Sequence, residues 1–271
     1  MGKTNGYGNS AVFRRPTGPG YDADAAAYFA AVTTPFSTAR KAIINTLVTT
    51  LKADGNWAGL DRLWLMANEA SDQGLISLVN PASTAMTLVN APTFTVDQGF
   101  TGDGATSYIN SNYNPNTQGV NYTLNSASVG AYARINQDAA TVLLGVQRTT
   151  ATAGYIYLRP RTTNTFASYI NGVGVASPAN TSSQGLMSMI RTASNLSNFY
   201  RNGVSLGTNA QVSSVIPNYN MYILANNLNN SSTNGYSTNQ VSCVFIGSGA
   251  INQLSIYNRI QNYMTSLGTQ V

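Results

Sequence analysis

Histidine is absent from this sequence of 271 residues, which contains one cysteine and one glutamate. Without histidine the chain lacks the most frequent general base of enzymes and the most frequent ligand of zinc. Cys243 lies in the apolar run SCVFIGSG and has no second cysteine in the chain with which to form a disulfide bond. We therefore predict a buried thiol and no transition-metal site.

Carboxylates are also few, which limits hydrolytic chemistry. Glycoside hydrolases commonly need two carboxylates that flank the scissile bond. Glu69 falls in a segment with helical periodicity, and the predicted strand region has only Asp97, Asp103 and Asp138, near turns and strand ends. We predict that the chain is not an enzyme, with a glycan depolymerase as the remote alternative. Calcium at Asp97 or Asp103 is the one cofactor that these residues suggest, and no catalytic, cofactor-binding or metal residues are assigned.

Charged residues make up 8% of the sequence, against about 25% in typical soluble domains. Neutral amides and hydroxyls replace them, which is typical of surfaces that meet other proteins. The net charge is +5, but the basic residues form no continuous run, so we expect no nucleic-acid partner. We expect no membrane partner either, because no apolar run approaches the ~18 residues of a spanning helix. The polar N-terminus does not resemble a signal peptide, which favours synthesis in a cytoplasm.

The first 20 residues include five glycines and two prolines and have few apolar side chains. Such a segment does not bury a core of its own, so we predict an extended N-terminal arm over 1–20. Tyr7, Phe13, Arg14 and Arg15 are its candidate assembly residues, which would attach the arm to a neighbouring protein. A disordered tail is the alternative interpretation.

Residues 21–80 have helical texture. Asp22 or Asp24 precedes an alanine-rich turn as a helix cap, and Thr34 followed by Pro35 predicts the start of a second helix that ends at Gly55. The stretch NWAGLDRLWLMANEA (56–70) continues the apolar spacing of a helix. We therefore predict a helical lead segment over 21–80, folded as a helical hairpin.

The hydrophobic period changes from helical to alternating near Pro81. About ten short runs between 93 and 248, separated by turn residues, predict strands of an antiparallel jelly-roll sandwich. The segment 251–268 then has apolar residues at helical spacing and ends at Gly268, which predicts a closing C-terminal helix. The predicted class is mainly β, with a sandwich domain and its closing helix over 81–271.

The stretch FYRNGVSLGT (199–208) reads as two strand ends joined by an Asn-Gly turn. The chain also has 16 tyrosines and many asparagines. These residues suit sugar rings and hydroxyls, polar protein interfaces or the margin of a β core, and the sequence does not bring them together in space. Of these, we prefer the core interpretation for the tyrosines, and no glycan-contact residue is assigned.

Three stretches resemble concanavalin A-like and laminin-G-like lectin domains. The first is the hairpin with Tyr200, Asn202, Gly203 and Gly207, which resembles the Y-x-N-G-x-x-x-G hairpin of these domains. The second is FTGDGATSYINS (100–111), which is similar to their early strand pair, and the third is VFIGSGAINQLSIYNRIQNYMTSLG (244–268), which is similar to their last strand and helix. The resemblance implies a lectin-like β-sandwich.

The front segment 22–67, with K-x-D-G-x-W over 52–57, resembles the helical lead of structural proteins of tailed bacteriophages. Together the resemblances span about 21–268. They imply a non-enzymatic virion protein, such as a fibre, a decoration protein, or a capsid- or tail-associated protein, made in the host bacterial cytoplasm. The implied partners are other virion proteins and further copies of the chain, for example in a trimer. The alternative is a carbohydrate-binding module that recognises host surface glycans.

Overall fold

The computed structural model describes residues 20–149, 152–174 and 177–271. Within these ranges the chain forms five helices, numbered along the sequence: α1 (Ala23–Ala31), α2 (Thr38–Ala53), α3 (Ser71–Leu75), α4 (Pro115–Gln118) and α5 (Gln253–Ser266). None of the helices in the described ranges has the length and hydropathy needed to cross a membrane.

The strands, also numbered along the chain, form two sheets of eight. The first sheet contains β1 (Leu60–Leu65), β3 (Thr93–Thr95), β4 (Gly99–Thr101), β6 (Ala127–Ala133), β10 (Gly185–Ala193), β11 (Leu196–Arg201), β12 (Val204–Asn209) and β16 (Gln240–Gly247). The second contains β2 (Thr87–Val89), β5 (Tyr108–Asn110), β7 (Leu144–Arg148), β8 (Gly154–Leu158), β9 (Tyr169–Gly172), β13 (Tyr222–Ile223), β14 (Asn226–Leu228) and β15 (Ser232–Asn234).

Strand pairing in the first sheet is antiparallel throughout, in the order β12-β11-β10-β6-β16-β4-β3, with β1 added on β16. In the second sheet the order is β15-β14-β7-β13-β5-β2, and β8 joins β7 to β9. The pair β14–β7 is parallel, whereas the other pairs of this sheet are antiparallel. The prediction of a mainly β sandwich with helices before and after it is confirmed.

Two apolar layers hold the fold together, and the alternation of side chains along strands separates them. In β6, Val129 and Ala131 face the core between the two sheets, while Tyr132 faces a second core under the helices. Ile44 of α2 and Ile260 of α5 fill that second core. The order of layers is therefore helices, first sheet and second sheet, and the far side of the second sheet bears neither core.

Residues 57–67 differ from the expectation of a continued helix. They form a short 3-10 turn (Trp57–Gly59) and then β1, which pairs with β16. All six residues of β1 are buried, because Trp64 packs between the sheets while Leu63 and Leu65 pack under the helices. The predicted helical hairpin is therefore wrong. A strand buried on both faces loses the alternation that identifies a strand, and its apolar residues here also fit a helical period.

Polar contacts join the lead segment to the sandwich. Ser37, and not Thr34, caps α2 by accepting from the Arg40 N–H. The Arg40 guanidinium donates to Asn68 Oδ1 at 3.0 Å and forms an ion pair with Asp97. From α5, the Tyr263 hydroxyl donates to the carbonyl of Ala67 at 2.7 Å. These buried and half-buried bonds fix α2 and α5 against the chain that enters and leaves β1.

The stretch 199–208 forms the predicted hairpin of β11 and β12. Asn202 and Gly203 both have positive φ, 52° and 75°, which is the requirement of a type I′ turn. A Cβ atom on Gly203 would lie 2.7 Å from Leu254 Cα, so the close approach of α5 also requires glycine here.

Candidate functional site

The predicted assembly residues Tyr7, Phe13, Arg14 and Arg15 lie outside the described residues. The predicted extended arm therefore stays a prediction. Glu69, which we expected on a helix, lies in the loop between β1 and α3. Its carboxylate accepts hydrogen bonds from the N–H and the hydroxyl of Ser37, at 2.9 and 2.5 Å.

The two aspartates considered for calcium are engaged by protein groups. Asp97 pairs with Arg40. Asp103 accepts hydrogen bonds from the N–H groups of Ala105, Thr106 and Ser107, and these bonds lower the pKa of its carboxyl. Within the described ranges no three potential metal ligands among His, Cys, Asp and Glu come together. Asp103 thus caps its turn, as its position in the sequence predicts.

Tyrosines divide into two groups by burial. Six are buried and belong to the packing of the molecule: Tyr28, Tyr113, Tyr122, Tyr132, Tyr157 and Tyr263. The core interpretation is correct for most of these. The far side of the second sheet holds a different set, which we call the tyrosine face: Tyr108, Tyr155, Tyr157, Tyr169, Tyr222 and Tyr236.

Alternation places the strand residues of this set on one side of the sheet. Tyr108 and Tyr222 precede Ile109 and Ile223, which face the core between the sheets. Tyr155 and Tyr157 of β8 alternate with core residues in the same way, and Tyr169 of β9 precedes the core residue Ile170. Because successive side chains of a strand point to opposite faces, these tyrosines point away from the core.

The first cluster of the tyrosine face lies on β5 and β13. The rings of Tyr108 and Tyr222 stack with centroids 4.5 Å apart, and Tyr236 is tilted against Tyr108 at 6.3 Å. All three side chains are half-buried. Burial and the neighbouring Tyr108 raise the pKa of Tyr222 to about 12, so its hydroxyl is protonated at neutral pH and donates hydrogen bonds.

The second cluster lies on β8 and β9. Tyr169 makes edge contacts with Tyr155 at 5.5 Å and with Tyr157 at 6.0 Å. The Arg159 guanidinium lies over the Tyr157 ring, 4.7 Å from its centroid, and Nη2 donates to the Tyr157 hydroxyl. Burial raises the pKa of Tyr157 and of Tyr169. The cluster is therefore aromatic, protonated at its phenols and positively charged at Arg159.

Strand β7 joins the clusters, since it pairs with both β13 and β8. Its Gly145 is paired with Tyr222 and with the buried Asn226. The Asn226 amide donates to Gln147 and Asn234, but its Oδ1 atom has no partner among the described residues. An unsatisfied buried acceptor costs about 1–3 kcal/mol, which favours a water or a ligand hydroxyl beside it.

No protein-family model matches the chain, and no curated protein matches it. Solved structures match it in fold. A mutant of Trypanosoma rangeli sialidase displaying trans-sialidase activity gives a TM-score of 0.51 at 13% identity, over 83% of this chain and 39% of that one. A mutant of HCR/D gives 0.51 at 8% identity, over 75% and 52%. Domain 4 of a GH43 extracellular arabinanase from Geobacillus stearothermophilus gives 0.47 at 13%, over 75% and 98%.

This comparison corrects one prediction and leaves another without support. The prediction that the chain is not an enzyme is contradicted, because the solved structures that share its fold include a sialidase. The match spans about two fifths of that sialidase, at an identity that relates the two proteins by fold alone. The comparisons show no link to a bacteriophage. They agree with the β-sandwich part of the predicted resemblance.

Proposed function

We propose that the chain binds carbohydrate on the tyrosine face. The observation that carries the proposal is the grouping of six tyrosines on the solvent side of one sheet, beside the amides of Asn226, Asn234 and Gln147. Aromatic rings offer apolar faces to the C–H surfaces of sugars, and neutral phenols and amides offer donors and acceptors to sugar hydroxyls. Sites of this composition, apolar with a few placed polar groups, are typical of small-ligand recognition.

The fold comparison supports the same proposal, because one fold-similar structure is a sialidase by its description. A glycan array probed with the whole chain tests whether the chain binds carbohydrate. We expect selective signals from a subset of glycans. The absence of any binding at high protein concentration would contradict the proposal.

Tyr108→Ala is expected to weaken binding of the best array glycan at least tenfold. The substitution removes a ring that stacks on Tyr222, and truncation of a central aromatic anchor costs about 1–2 kcal/mol or more. Titration calorimetry measures the change. Tyr200→Ala is the matched control, because Tyr200 is also a half-buried strand tyrosine but lies on β11 of the first sheet. Equal losses in both variants would place the ligand elsewhere.

A second candidate is compatible with the first: a virion component of a tailed bacteriophage that displays this sandwich. The resemblance of 22–67 to phage structural proteins favours it. This candidate carries the proposed location in the virion, the proposed synthesis in the host bacterial cytoplasm and the proposed contacts with other virion proteins and with further copies, for example in a trimer. Mass spectrometry of purified particles tests it, and absence of the chain from mature particles would remove it.

A further inference from the structure

We propose that Arg159 accepts the anionic substituent of the bound glycan, so that the tyrosine face prefers acidic over neutral sugars. This inference rests on the proposed carbohydrate binding. It assigns a role to one half of the tyrosine face, the cluster on β8 and β9. The shared chemistry of the ligand is a negatively charged oxygen group, either a carboxylate or a sulfate.

The first observation is that Arg159 is held by an aromatic ring and by no carboxylate. Among the described residues the ion pairs with carboxylates are made by Arg40, Lys52, Arg161 and Arg259. Arg159 lies instead on Tyr157 and donates to its neutral hydroxyl. Its positive charge is therefore not neutralised by the described part of the chain.

The second observation is that the guanidinium has unused donors. Nε of Arg159 is buried without a hydrogen-bond partner. Nη1 makes no hydrogen bond to any residue in the described ranges, so the printed bond of Nη2 to Tyr157 is the one that fixes the group. A guanidinium has five N–H donors in a planar fork that matches the two oxygens of a carboxylate or sulfate. The group is oriented, charged and incompletely bonded.

The third observation is the contrast with Arg161, two residues further along the same segment. Arg161 lies 3.6 Å from the Asp138 carboxylate and donates to the side-chain oxygens of Asn164 and Asn136. Its charge and its donors are already engaged. The chain therefore contains two neighbouring arginines, of which Arg159 is on the tyrosine cluster and lacks a counter-charge.

The test uses the whole chain and three galactose-based tetrasaccharides: neutral, sulfated and built of galacturonate. We expect the chain to bind at least one acidic tetrasaccharide at least tenfold more tightly than the neutral one. The galacturonate and sulfate arms identify which anionic group is preferred. Equal affinity for all three would overturn the inference while leaving carbohydrate binding intact. Absence of binding to any of the three, or to any array glycan, would instead remove the proposed function.

Arg159→Gln is expected to abolish the preference, with a tenfold or larger loss for the acidic ligand and a change below twofold for the neutral one. Arg161→Gln is the matched control and is expected to change neither. Arg159→Lys keeps the charge but loses the planar fork, so we expect a partial loss. This variant keeps the test decisive if Arg159→Gln does not fold. Equal losses for acidic and neutral ligands in a folded Arg159 variant would show a structural role and contradict the inference.

Discussion

Asp61→Ala is expected to lower the free energy of unfolding by about 3–5 kcal/mol, a large share of the stability of a typical domain. Asp61 lies in β1 and is 4% exposed. Its carboxylate accepts from the Tyr113 hydroxyl at 2.9 Å and from the N–H groups of Val120, Asn121 and Tyr122 at 3.1, 2.7 and 3.0 Å. The side chain thereby ties the loop after β5 to the first sheet.

Removal of this carboxylate leaves four donors without an acceptor in a region from which water is largely excluded. Each unsatisfied buried donor costs about 1–3 kcal/mol, partly relieved if water enters the space. Urea denaturation of the wild type and the variant measures the difference. Asp138→Ala is the control, because Asp138 is an exposed aspartate in a surface pair with Arg161, and such pairs contribute about 0–1 kcal/mol. Equal midpoints for the two variants would contradict the assignment of Asp61 as a clamp.

Alkaline unfolding is the second large effect that we expect, beginning above about pH 10. Burial raises the pKa of Tyr28, Tyr113, Tyr122, Tyr132 and Tyr263 in the folded protein. The phenols of the unfolded chain ionise near 10. A raised folded-state pKa contributes stability that is present in full below the unfolded value and is lost as the pH rises toward the folded value.

Because several phenols share this shift, their losses add, and the fold is expected to give way before these tyrosines ionise in place. Absorbance at 295 nm, which reports phenolate, should rise together with the loss of β-sheet circular dichroism. The half-exposed tyrosines should contribute an earlier, smaller absorbance step. Complete tyrosine ionisation near pH 10 with the circular dichroism unchanged would contradict the burial of these side chains.

Local signals in the sequence were sufficient for most of the fold. Alternation and turn residues predict β6, β10 and β16 within a few residues of their observed bounds, and the spacing of apolar residues predicts α5. They fail at β1, where burial on both faces removes alternation. They also place the start of α2 at Thr34 and Pro35, whereas Thr34 instead donates its N–H to Asp72. That contact joins residues 38 positions apart, which no local pattern contains.

The tyrosine face was visible in composition but not in location. Alternation in GYIYLRP predicts that Tyr155 and Tyr157 share a face, and the same signal is present in TSYINS. Which face meets solvent depends on how the sheets stack, and the meeting of Tyr108 with Tyr222 depends on the pairing of β5 with β13, more than 100 residues later. The free charge of Arg159 depends likewise on long-range placement, since Arg161 beside it is paired.

Tyrosine nitration in the presence and absence of a bound oligosaccharide tests the location of binding most directly. With the array glycan of highest signal as the probe, we predict slower nitration at Tyr108, Tyr155, Tyr169, Tyr222 and Tyr236, read residue by residue by mass spectrometry. Tyr200 and Tyr257, which are half-buried elsewhere, should react at an unchanged rate. Unchanged rates on the tyrosine face, with protection at Tyr200 or Tyr257 instead, would contradict carbohydrate binding at this face.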